Sequence, residues 1–158
     1  MIAFQSQPTP VIQTAGQGKK FSFLGVTAVL RATGGGTGGT FGMAELTLPP
    51  HFRHILPHWH AHTTESFYVL DGTIAFTLED RTFTLGRGGF VMAPPRTVHQ
   101  FWNPTAAPVT LLDLYLPGGF EAYFEELAAT FPNNAGFDAL RMAEIGAKYD
   151  QFAPLNQV

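Results

Sequence analysis

The sequence predicts an all-β domain, a sandwich or barrel of short antiparallel strands, followed by a short helical tail. Three observations predict it. Apolar runs of four to eight residues recur between clusters of turn residues, as in sandwiches and barrels. The 158 residues include 17 Gly and 12 Pro, and only 13% are charged, against ~25% in an average domain. Helical spacing of apolar residues appears only after Gly118-Gly119. With 45% hydrophobic residues and 15 Phe there is ample material for one core.

Taken in order, residues 1–20 are polar, carry Pro8 and Pro10, and read as an N-terminal arm. The barrel domain is expected over 21–118 and a helical tail, packed on the barrel, over 119–158. Phe21 to Leu30 is apolar enough for one or two strands, with Gly25 as the break. TGGGTGGT, Thr33 to Thr40, reads as a flexible turn; lacking lysine and a following helix, it is not a phosphate cradle. Phe41 to Leu48 alternates like a half-buried strand, and Pro49-Pro50 ends it. His51 to Leu56 is expected to be loop, leaving His51 and His54 exposed.

Further strands are expected at Ser66–Leu70, Thr73–Leu78, Thr82–Leu85, Phe90–Ala93, Val98–Trp102 and Val109–Leu116, with a tight turn at Glu79-Asp80. In the tail, Phe120, Phe124, Leu127 and Phe131 repeat at helical spacing, and Ala139 to Lys148 suits a second helix. These helices either pack outside the barrel or cover its mouth.

Several function classes are excluded or unsupported. A net charge of −3 without a basic run offers no field for nucleic acid. The absence of cysteine removes disulfides, thiolate metal sites and cysteine nucleophiles. No apolar run approaches ~18 residues, so no membrane span is expected. No basic start precedes an apolar block, so the expected location is the cytoplasm.

The chemistry concentrates in PHWHAHTTESFYVLDG, Pro57 to Gly72. Five of the six histidines lie between His51 and His62, and the sixth is His99. Neutral imidazole is the commonest protein ligand for transition metals, so histidines clustered beside a carboxylate, Glu65, suggest a metal site. Residues two apart on a strand share a face, which sends His58 and His60 inward together and Trp59 outward. Glu65 has the opposite parity and joins them only if Ala61 to Thr64 turns. Phe67 and Val69 then share its inward face, and His99 arrives on another strand with Phe101 beside it. Glu45, inside an apolar strand, is a further candidate for the interior.

These residues resemble the cupin superfamily. In the first cupin motif, His-x-His is followed after four residues by Glu and after six more by Gly, matched by His58, His60, Glu65 and Gly72. The second is matched by Gly88, Pro94, His99 and Asn103, with Arg96 standing where the motif has its second glycine. That substitution suggests an altered turn. The resemblance covers about residues 40 to 118 and implies a jelly-roll β-barrel with His58, His60, Glu65 and His99 as metal ligands. HWHAHTTESFYVLDG and PGGFEAYFEEL further resemble the quercetinase-like single-domain cupins.

That resemblance implies a metal-dependent dioxygenase cleaving a flavonol or related enolic aromatic with dioxygen. The cofactor would be one divalent transition metal: Ni, Mn, Co, Fe or Cu, or Zn. Glu65 would be both ligand and general base. His62, Phe67, Tyr68, Phe101 and Trp102 are the candidate pocket residues, with His62 at the rim, and Asn103 is expected to stabilise a turn. The resemblance also implies a homodimer. Two alternatives stand beside this reading: another metal-cupin enzyme (a different dioxygenase, an isomerase or a lyase) and a non-catalytic module binding a small ligand.

Overall fold

The computed structural model describes residues 7–133 and 135–154. Ten of its strands follow the turn signals: β1 (Lys19–Phe23), β2 (Val26–Ala32), β3 (Gly42–Leu48), β4 (Trp59–His60), β5 (Thr64–Asp71), β6 (Thr73–Leu78), β7 (Arg81–Gly86), β8 (Phe90–Ala93), β9 (His99–Trp102) and β10 (Val109–Leu116). A 3-10 turn at Phe120–Ala122 leads into α1 (Tyr123–Thr130), then α2 (Ala139–Ala147) and a two-residue strand, β11 (Gln151–Phe152).

Two antiparallel sheets face each other. One has the order β1-β2-β3-β10-β5-β8, the other β7-β6-β9. The crossovers place strands distant in sequence side by side, as a jelly roll requires. Period-two alternation builds the interior: Gly42, Ala44, Leu46 and Leu48 of β3 are buried, with half-buried residues between them. β10 alternates likewise, burying Val109, Leu111, Asp113 and Tyr115. The opposite sheet contributes Ile74, Phe76 and Phe101, and Phe67 packs 4.9 Å from Phe101 between ring centroids.

The turns follow local chemistry. Gly72 joins β5 to β6 at φ 82°, a conformation open to glycine, and any Cβ there would lie 2.9 Å from the Pro108 carbonyl oxygen. The Thr33–Thr40 loop is held by internal hydrogen bonds, among them Gly39 N–H to the Gly34 carbonyl at 2.7 Å. Its glycines also permit close packing, since a Cβ on Gly34 would meet Gly118 backbone at 2.7 Å. The buried carboxylate of Glu121 accepts from the N–H groups of Gly34 and Gly119, which ties the loop to the start of the tail.

The turn at Arg96 is not altered. Arg96 itself takes the left-handed conformation, φ 68°, that glycine would occupy, and its N–H donates to the His60 carbonyl at 2.7 Å. The motif geometry is therefore kept, with backbone strain of about 1 kcal/mol as its cost.

The tail closes one end of the barrel. Phe124 stacks on Phe23 at 5.9 Å, and Phe120, Leu127, Met142 and Ile145 are buried in the same core cluster as the barrel residues. Asp138 caps α2 by accepting from Arg141 N–H. β11 then pairs antiparallel with β4, with Gln151 opposite His60. No helix among the described residues is long and apolar enough to cross a membrane.

Candidate metal centre

His58, His60, Glu65 and His99 converge inside the barrel, with ligand atoms all within 4.8 Å of one another and every side chain buried. Four local features produce this. His58 and His99 are joined by two backbone hydrogen bonds of 2.9 and 2.8 Å, which adds the His58 segment to the edge of β9. His60 follows at the same parity. Residues 61–63 then bend, so Glu65 enters β5 facing the interior. Finally, Tyr115 of β10 lies opposite Glu65 in register.

The hydrogen bonds decide which ring nitrogen faces inward. His58 Nδ1 lies 2.8 Å from the Leu56 carbonyl, His99 Nδ1 2.9 Å from that of Thr97, and His60 Nδ1 3.1 Å from that of Asp150. Carbonyls only accept, so each Nδ1 carries a hydrogen and each neutral imidazole turns its Nε2 lone pair inward. The Nε2 atoms of His60, His99 and His58 stand 2.9, 2.7 and 3.6 Å from one oxygen, Glu65 Oε2. Three lone pairs aimed at a carboxylate repel unless a cation or protons intervene. The donor set therefore fits a divalent transition metal of borderline softness.

Electrostatics follow from this crowding. Burial, with the charge of His99, holds His58 down at about 4. With protons rather than a metal in the cluster, burial pushes Glu65 upward, but the charge of a protonated His60 and hydrogen bonds from Nε2–H of protonated imidazoles outweigh it and hold the carboxyl well below its ordinary range. For His99, burial is outweighed by its bond to Glu65, and its value rises.

Beside the cluster lies a partly open cavity with about 30 Å³ of space for solvent, room for roughly two waters. His58, Glu65, Asp113, Tyr115, Tyr123 and Gln151 are its polar lining residues. Otherwise the wall is mainly aliphatic and aromatic, with Phe23, Phe101, Phe120 and Phe124 among its residues. Tyr123 and Leu127 of α1 and Met142 of α2 complete it, so the tail roofs the mouth. No lysine or arginine lines it among the described residues.

The remaining candidates are dispersed. Phe101 lines the cavity; Phe67 is core beneath His99, 6.1 Å between ring centroids. Tyr68 is not a wall residue, because its parity on β5 turns it to the outer sheet face, 46% exposed. Trp102 also points outward, where Arg53 lies 5.8 Å over its ring. His62 is exposed, and Glu45 faces outward into an ion pair with Arg31 at 2.7 Å. His51 is exposed, but His54 is half-buried between Phe52 and Phe137, at 5.3 and 4.6 Å. Asn103, fully buried, donates to the Pro49 and Ala107 carbonyls and accepts from Thr105, bracing a turn.

Sequence reasoning missed two residues. Asp113 sits in the apolar run VTLLDLYL at an inward parity, a signal that was available. Its Oδ2 accepts from Tyr115 O–H, while its buried Oδ1 has no hydrogen-bond partner in the structure. Burial and the charge of Glu65 push Asp113 well above the usual carboxyl range. Asp150 gave no such signal. It lies in the tail, yet its carboxylate accepts from the N–H groups of Ala61, His62 and Thr63 and from the Thr63 hydroxyl.

Fold and site together define a jelly-roll barrel protein whose interior can hold one metal ion at a three-histidine, one-carboxylate centre. Residues 44–115, slightly under half of the chain, match the family model described as Cupin domain, and the jelly-roll fold agrees with that match. It is similar to quercetin 2,3-dioxygenase from Bacillus subtilis (strain 168), 30% identical over 73 residues, 46% of this chain and 21% of that protein. The chain thus spans about a fifth of that relative's length. Among solved structures, KdgF from Halomonas sp. aligns with TM-score 0.64 at 17% identity, covering 72% of this chain and 99% of that one. A cupin-superfamily sugar phosphate isomerase from Silicibacter pomeroyi aligns with TM-score 0.52 at 26% identity, covering 58% and 59%.

Proposed function

We propose that this protein is a metal-dependent dioxygenase acting on a small enolic substrate, in the manner of the quercetinase-like cupins. The observation that carries the reading is the placement of one ionised carboxylate, Glu65, among three inward-facing imidazoles bordering a mainly apolar cavity. His58, His60 and His99 would hold the metal through Nε2, each ring oriented by its Nδ1–H bond to a backbone carbonyl. A divalent metal bound there supplies positive charge that stabilises an enolate oxygen.

Glu65 is anionic at neutral pH and takes the proton of the substrate hydroxyl at Oε2. The apolar wall keeps water from returning a proton to the enolate, leaving the electron-rich carbon to dioxygen. The substrate carbons are oxidised as dioxygen is reduced, and C–O bonds form as ring C–C bonds break. Both oxygen atoms enter the cleaved product while, for a flavonol, the excised carbon leaves as carbon monoxide. The wall also bears on substrate class. With no cationic side chain lining it, the cavity offers nothing to pair with a phosphate, which disfavours the substrate in the isomerase's name.

The small free volume favours a second, narrower reading of the substrate. A cavity of about 30 Å³ does not admit a flavonol unless α1 and α2 move, whereas a compact enol needs a smaller displacement. Oxygen uptake by protein reconstituted with Mn, Fe, Co, Ni or Cu, against a panel of flavonols and compact enols, tests both. Uptake that needs metal and substrate and disappears in His58→Ala supports the dioxygenase. Absence of uptake with every metal, at confirmed metal content, refutes it in favour of another cupin chemistry or a binding role.

A further inference from the structure

We propose that Asp113, oriented by Tyr115, is the specificity-determining contact of this cavity and hydrogen-bonds a second hydroxyl of the substrate. The first oxygen of that substrate lies at the histidine–glutamate centre. The inference deepens the small-molecule site proposed above and rests on that reading.

Buried side-chain oxygens are almost always satisfied, because an unpaired one forfeits its hydration without return. Asp113 is 1% exposed, and its Oδ1 is the orphaned buried side-chain atom among the described residues. Burial raises Asp113, and Glu65 is near enough that its charge and a hydrogen bond with it add to the rise. That contact leaves Oδ1 without a partner at hydrogen-bond distance, and core packing does not require a carboxyl here. Inward positions of β10 on either side carry Leu111 and Tyr115, and an apolar residue at 113 would continue the core. Instead a carboxyl group stands where β10 borders the cavity that also exposes His58 and Glu65.

Its orientation is fixed. Tyr115 O–H donates to Oδ2, which holds the carboxyl plane and leaves Oδ1 as the free hydrogen-bonding position. Tyr115 itself is fully buried and packs 4.6 Å from Phe120 of the roof, so the pair is rigid. A hydroxyl is the group that suits Oδ1, because it donates to a carboxylate and accepts from a carboxylic acid. The ligand class is therefore a neutral molecule with two neighbouring oxygen functions on an apolar or aromatic frame. Anionic groups are disfavoured beside Asp113 and Glu65.

The test compares binding of catechol and phenol to the Zn²⁺-loaded protein by calorimetry, a metal that leaves both probes unoxidised. In the native protein catechol binds more tightly, partly through the metal and partly through Asp113. In Asp113→Leu the catechol-to-phenol preference falls by roughly tenfold or more, the loss expected when a buried hydrogen bond is removed. Tyr115→Phe, a smaller change that frees the carboxyl to rotate, lowers the preference by a lesser factor and serves if the leucine variant does not fold. Asp113→Asn, which keeps a hydrogen-bonding group in place, retains most of it. An unchanged preference in both Asp113→Leu and Tyr115→Phe, or no binding of either probe, overturns the assignment and leaves Oδ1 to a water. Oxygen uptake is a separate readout: it can fail while the binding preference holds, so the two proposals stand or fall apart.

Discussion

Asp150→Ala is the perturbation whose effect the structure bounds most closely. The Asp150 carboxylate accepts from Ala61 N–H at 3.1 Å and from His62 N–H, Thr63 N–H and Thr63 Oγ1 at 2.9 Å each. A hydrogen bond to a charged group contributes about 1.5–3 kcal/mol. Here four bonds share one anion at a half-buried site where water can replace some of them, so ~2–3 kcal/mol is the expected total. Alanine must also hold φ 70°, which aspartate tolerates better, adding up to about 1 kcal/mol. Urea unfolding of the metal-free protein at pH 7 should show a loss of ~3 kcal/mol, and Asp150→Asn about half of that.

The sign with pH follows from the carboxyl. Burial opposes its ionisation, but the N–H groups of His62 and Thr63 hold it below the ordinary value. Its stabilisation is thus present above the unfolded value of 3.8 and is lost as pH falls through the folded one, so native and variant should converge in acid. Alanine keeps the carbonyl that accepts from His60 Nδ1–H at 3.1 Å, so metal affinity should fall only as far as the loosened segment misplaces that oxygen, by up to about tenfold in a chelator competition. A stability change under about 0.5 kcal/mol together with unchanged metal affinity would refute the reasoning.

Glu65→Gln should keep the three imidazoles and part of the metal but lose turnover; unchanged oxygen uptake at equal metal content would remove Glu65 as the base. Arg96→Gly relieves a left-handed arginine of about 1–2 kcal/mol but loosens the unfolded chain by about 0.5–1, so calorimetry should show a net gain of at most about 1.5 kcal/mol. In the metal-free protein, His58 titrates at about 4 against 6.5 unfolded. The unfolded chain accepts a proton that the folded one refuses, so stability drops by ~3 kcal/mol as pH falls from 6.5 toward 4. His99, raised, works oppositely: its contribution is full below 6.5 and is lost as pH rises through its folded value. Denaturation of metal-free His58→Gln should accordingly show a flatter profile between pH 6.5 and 4, and a profile as steep as the native one would exclude His58 as the cause.

Much of the fold was legible because period-two burial and turn chemistry are local signals. Thr73–Leu78, Phe90–Ala93 and Val109–Leu116 are strands at the expected bounds, and the rest fall within two residues. The set His58, His60, Glu65 and His99 was legible for a different reason, through the resemblance to the two cupin motifs; parity alone paired His58 with His60 and left Glu65 dependent on a bend. What failed was sidedness where registers meet. Tyr68 differs from the inward Phe67 and Val69 only by parity, and Trp102 likewise follows the inward Phe101. Glu45 sits at an outward position of β3, opposite Leu112 in register, where Arg31 can reach it. The roles of β4, β11 and Asp150 were not legible, because a two-residue pairing between segments about 90 positions apart leaves no periodic trace.

The geometry of the tail explains why the barrel alone is not the functional unit. α1 and α2 supply the cavity's roof through Tyr123, Leu127 and Met142, and the residue that follows α2 by three positions supplies the carbonyl that orients His60. The same residue's carboxylate braces the bend at 61–63, without which Glu65 would keep the wrong parity. Any movement that widens the cavity therefore pulls on two of the four residues of the centre. Roof and centre cannot be adjusted separately, since one strand pair, β4 with β11, connects them. Metal bound by His60 and Glu65 in turn favours the docked tail by mass action. That reciprocity is why the loss at Asp150 should be read in metal affinity as well as in stability, although Asp150 touches the centre only through one backbone oxygen.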